Sequence, residues 1–72
     1  MEPARICISS PPDREKLVAE MFFGDEQWAE LSQDGGILSV EFYPKRAGGF
    51  WRLELEDVLS VLREAKARLV GQ

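Results

Sequence analysis

A chain of 72 residues predicts one domain, 1–72, with a thin core, because a chain of this size buries only roughly 60% of its unfolded surface on folding. A hydrophobic content of 44% argues against disorder, and 13 acidic against 9 basic residues give a net charge of −4, the sign opposite to the one phosphate binding draws on, so nucleic acid is disfavoured. Histidine is absent and Cys7 is the one cysteine, which removes the commonest general base, any thiolate cluster for a metal and any internal disulfide; a reducing cytoplasm is the expected location.

In chain order, Ala4–Ser9 alternates Ile6 and Ile8 with Arg5 and Cys7, a short strand cut off by Ser9-Ser10-Pro11-Pro12 and expected at a sheet edge. Asp13 is placed to cap a helical turn through Lys16, with Arg14, Glu15 and Lys16 exposed. From Leu17 to Phe23 two periods compete. Leu17, Val18, Met21 and Phe22 fit a helix, while Leu17, Ala19, Met21 and Phe23 fit a strand, and the turn at Gly24-Asp25-Glu26 favours the strand. Further strands are expected at Gln27–Leu31 and Leu38–Tyr43, joined by the turn Gln33-Asp34-Gly35-Gly36. The loop Pro44–Gly49 leads to a last strand pattern at Trp51–Leu55. Beyond it the period changes from two to nearly four. Val58, Val61, Leu62, Ala65 and Leu69 form one stripe of a helix with Glu56 and Asp57 in its first turn, Lys66 and Arg68 towards its end, a Glu64–Arg68 pair and Gly71 as the stop. No apolar stretch approaches the ~20 residues that a bilayer requires, and no signal peptide is visible, so a soluble chain with no membrane partner is expected. The fold class is α+β: an antiparallel meander of four or five strands with one C-terminal helix packed on one face.

Strand alternation divides the side chains between two faces. Leu17, Ala19, Met21, Phe23, Ala29, Leu31, Leu38, Val40, Phe42, Trp51, Leu53 and Leu55 take the parity that the helix covers. The other parity carries Glu20, Glu30, Glu41 and Glu54 among the rings Phe22, Trp28, Tyr43 and Phe50. Glu20, Phe22, Trp28, Glu30, Glu41 and Tyr43 are the candidate partner-binding residues, with rings as anchors and carboxylates selecting a basic protein partner. Those rings could equally pair across strands as a second small core, and a homodimer stacking two such faces would bring like charges together unless Arg52 with Lys45 or Arg46 offset them. Catalytic, metal and cofactor residues are not expected. Carboxylates on an open sheet face are usually solvated, Cys7 has no histidine to activate it, and Gly35-Gly36 and Gly48-Gly49 lack the spacing of a phosphate loop.

The run LVAEMFFGDEQWAELSQDGGILSVEFYP followed by FWRLELEDVLSVLREAKARLV, with its Trp51 and Ala65-Lys66 region, resembles a class of small bacterial proteins with a strand meander and a C-terminal helix, some of which look like immunity proteins of polymorphic toxin systems. The resemblance covers about residues 15 to 70 and implies a cytoplasmic, non-enzymatic protein that binds and blocks a toxin. The same pattern is similar to the PUR and Whirly nucleic-acid-binding units, which place a four-stranded sheet before a helix and stack bases on exposed aromatics beside basic residues. This chain departs from them in charge, with four glutamates and one arginine on the corresponding face.

Overall fold

A computed structural model describes residues 4–71. Four strands, β1 (Ala4–Ser9), β2 (Val18–Phe23), β3 (Glu26–Ser32) and β4 (Ser39–Phe42), form one antiparallel sheet in chain order, and a single helix, α1 (Leu55–Val70), follows. This is the α+β meander expected, in its four-stranded form, with β1 and β4 as the two edges.

The β2–β3 hairpin turns on two residues. Gly24 has φ 61° and no non-glycine residue described has a positive φ, the pattern of a turn with glycine in its first central position. Between β3 and β4 the chain makes one 3-10 turn at Asp34–Gly36, where Gly35 and Gly36 both adopt the left-handed region that glycine tolerates without strain. The segment before β2 is a turn and not the helical turn expected from Asp13 to Lys16: Arg14 N–H donates to Pro11 C=O at 3.2 Å, and the chain continues to β2 without helix.

The expected strand at Trp51–Leu55 does not form. Residues 51–54 are irregular and Leu55 opens the helix. The alternation there has a different origin. To reach the helix the chain must leave β4 and cross the inner face, and Trp51 and Leu53 are the side chains it presses down while crossing. Both pack against the core, with the Trp51 ring 5.9 Å from that of Phe23.

α1 lies against β2 and β1. Ala65 and Leu69 are buried there, and Val58, Val61 and Leu62 pack beside them, as the stripe predicts. Glu56 and Asp57 occupy the first turn, where the helix dipole favours carboxylates. Glu64 accepts from Arg68 at 3.0 Å, and a second Arg68 nitrogen reaches the Ile6 carbonyl at 3.4 Å, tying the helix end to β1. None of the helices described is long and apolar enough to cross a membrane.

One 16-residue helix on two strands, with Trp51 and Leu53 packed beside it, covers the inner face as far as β3 and leaves its β4 margin open. Leu38, Val40, Phe42 and Leu55, placed in the core by parity, are exposed, Phe42 at 62% and Leu55 at 67%. The core is therefore Ala19, Met21, Phe23, Trp28, Ala29, Leu31, Ala65 and Leu69.

Candidate interaction surface

Trp28 is in that core by virtue of a β-bulge. Met21 pairs with Ala29, but the next residue of β2, Phe22, pairs with Gln27, so two steps along β3 answer one along β2. The extra residue turns Trp28 from the outer to the inner face, where it is 1% exposed and stacks on Phe23 with ring centroids 5.2 Å apart. The Gln27 side chain donates to the Ala29 carbonyl at 3.3 Å beside the bulge. Trp28 thus leaves the acidic-aromatic face to which simple alternation assigns it.

Past the bulge the alternation is regular, and the register aligns Cys7, Glu20, Glu30 and Glu41 in one row across all four strands. Glu54 is not part of it: it sits outside the sheet at the N-cap of α1. Adjacent carboxylates in such a row repel one another. Arg14 answers them from the β1–β2 connection. One of its terminal nitrogens lies 2.9 Å from Glu30 and 2.6 Å from Glu41, and the other 2.8 Å from Asp34. Held by three carboxylates, its guanidinium has a pKa raised above the usual arginine value, first through the bonds to Asp34 and Glu41.

The Tyr43 hydroxyl donates to the second Glu30 oxygen at 3.3 Å. Burial pushes its phenol upward, and the negative charge of Glu30 adds to the effect. Glu30 is buried, as are Val18 and Ser32 on the same face, where the connection carrying Arg14 folds across the sheet. Phe22 is half-buried, with the Arg5 guanidinium 4.3 Å above its ring. Of the six candidate residues, Glu20, Phe22, Glu30, Glu41 and Tyr43 share one face and Trp28 is on the other. Arg14, which sequence patterning places in an exposed helical turn, is the residue that organises this face. The available signal for it was charge balance: several carboxylates on one face call for a cation, and Arg14 stands in the adjoining connection.

The inner face has the opposite character. Trp28, Phe42, Phe50, Trp51, Leu53 and Val58 line an apolar groove of about 530 Å3 between β4, the crossing segment and the helix. Phe50 is 94% exposed at its rim. Lys45 lies 5.3 Å from the Trp51 ring centroid, and Arg46 bonds Asp25 at 3.3 Å, so both loop cations are drawn towards the β2–β3 turn side of the groove. Among the described residues no cluster of histidine, cysteine or carboxylate is arranged to hold a metal ion. No protein-family model matches the chain, and no curated protein or solved structure matches it.

Proposed function

We propose that this chain is a small non-enzymatic protein-binding module, and that its contact surface is the uncovered β4 margin of the inner sheet face. The observation that carries this reading is the apolar row of Leu38, just before the edge strand β4, with Val40 and Phe42 on it, continuous through the groove with Phe50. Contiguous exposed apolar surface beside polar ground is the usual mark of a protein contact, and aromatic side chains at a groove rim are the usual anchors. The acidic row fits a supporting role, because Arg14 holds Glu30, Glu41 and Asp34 in internal bonds that a basic partner would have to compete for. Nucleic-acid stacking is the weaker reading: Trp28 is buried, Phe22 lies beneath Arg5, and Tyr43, the remaining ring of the acidic face, is bonded to Glu30 within the carboxylate row. We place the protein in the cytoplasm because its lone Cys7 offers no disulfide to an oxidising compartment.

The immunity-type reading is a specific form of this proposal. A basic toxin would seat apolar side chains in the groove and be steered towards it by the chain's net charge of −4. The test compares capture by the wild-type chain, by a Phe42→Ser/Phe50→Ser double variant and by Glu20→Gln, a carboxylate outside the Arg14 cluster. A protein retained by wild type and Glu20→Gln but lost by the double variant supports the apolar contact. Loss with Glu20→Gln and retention by the double variant would move the contact to the acidic face.

A further inference from the structure

We infer that the partner of this surface is a second copy of the chain, added edge to edge along β4 in antiparallel register. The inference rests on the reading of the β4 face as the contact surface and specifies its occupant.

β4 has a neighbour on one side only. The Tyr43 N–H donates to the Trp28 carbonyl at 2.9 Å, which fixes the phase of the strand: odd-numbered residues direct their backbone groups to β3, and Val40 and Phe42 direct theirs to the open edge. Among the described residues no turn or loop bond reaches those outward groups. Edge strands are ordinarily guarded by lysine, proline or a bulge. β4, with sequence SVEF, has none of these within it, Pro44 and Lys45 following only beyond Tyr43, and its one charge, Glu41, is turned to the outer face and held by Arg14. The other edge, β1, carries Arg5 and runs into Ser10-Pro11-Pro12. One open edge and one guarded edge favour a closed pair over a growing sheet.

An edge of this kind selects an extended segment with apolar residues on one face and polar residues on the other, and β4 is itself such a segment. Two-fold antiparallel pairing sets even-numbered residues against even-numbered ones. Val40 and Phe42 of both copies then extend a single apolar face, and the groove beside Phe42 continues across the axis. The register that pairs Val40 with the partner's Phe42 also sets the two Glu41 side chains opposite one another, a repulsive arrangement for free carboxylates. Here each is already bonded to its own Arg14 at 2.6 Å. A stable dimer needs about 800 Å2 from each partner. That is a modest part of the 5057 Å2 exposed by this chain, whose exposed apolar side chains include Ile37, Leu38, Val40, Phe42 and Phe50 along β4 and the groove.

Sedimentation equilibrium over a wide concentration range tests this. Wild type is expected at twice the monomer mass at micromolar concentration. Val40→Pro removes an edge-facing N–H that the β3 ladder does not use, so the variant should keep its circular dichroism and weaken association at least about tenfold. Val40→Lys, which guards the edge without altering the backbone, should do the same. A wild-type chain that stays monomeric at every concentration, or a dimer unaffected by Val40→Lys, overturns the inference. If the chain is monomeric and the Phe42→Ser/Phe50→Ser variant still loses a captured protein, the occupant is wrong and the contact surface stands.

Discussion

Arg14 and Glu41, 27 positions apart in the chain, meet at 2.6 Å, and the same guanidinium nitrogen lies 2.9 Å from Glu30. A residue of the first connection thereby bridges β3 and β4 across the outer face of the sheet. The contact fastens the β1–β2 connection over the outer face and offsets the repulsion between adjacent carboxylates.

Replacing Arg14 by alanine is expected to lower the melting temperature and to speed amide exchange in residues 10–17, because Glu30, Glu41 and Asp34 lose their shared cation. Arg14→Lys should recover only part of the loss, since an ammonium cannot offer a planar fork to three carboxylates. Added salt should stabilise Arg14→Ala more than wild type by screening the uncompensated row. Thermal melts at low and high ionic strength check all three.

Tyr43 is the one tyrosine of the chain, so its phenolate absorbance reports a single site. Burial, and then the charge of Glu30, holds its pKa above the ordinary value of about 10. A raised folded value means that folding favours the neutral phenol. This contribution is fully present below the unfolded value and is lost as pH rises through the folded one. The titration should therefore begin later than that of free tyrosine, and wild type should lose stability at alkaline pH more steeply than Tyr43→Phe.

Trp28 and Phe50 carry rings of similar chemistry in opposite circumstances. Trp28→Ala is expected to cost about 3–5 kcal/mol, the usual range for removing a fully buried large aromatic. Against a total stability of about 5–15 kcal/mol for a domain, that leaves little folded protein on warming. Urea unfolding followed by circular dichroism measures it.

Phe50→Ser removes a side chain that is 94% exposed and should change stability by no more than about 0.5 kcal/mol. Fluorescence of a dye that reports exposed apolar surface should fall in the same variant. A large loss of stability would mean that Phe50 packs in solution and is not a free rim residue.

The strands, their order and the helix stripe were legible because each rests on local signals: alternation in β1 and β2, glycine turns at 24 and 35–36, and a change of period after Leu55. Parity reading failed in three places, each for a non-local reason. Trp28 changed face through a bulge that no turn residue announces. Trp51 and Leu53 alternate because they anchor a crossing segment, and alternation alone cannot tell this from a strand. Val40 and Phe42 follow the core parity but lie beyond the reach of a helix docked on β1 and β2. The acidic row was readable residue by residue, and its neutralisation by Arg14 was not, because that depends on where a proline-led connection folds.

The extra residue in β3 also separates the chain into two independently phased hairpins. Removing one position at Gln27 would restore an even ladder with β2 and send Trp28 outward, yet Ala29, Glu30 and Leu31 would keep their partners on both sides. Length variation in the β2–β3 turn can therefore be absorbed upstream of the bulge. The carboxylate row and its arginine clasp keep their register through such a change, whereas the groove beside β4 depends on the bulge, because Trp28 lines it and stacks on Phe42 with ring centroids 6.3 Å apart.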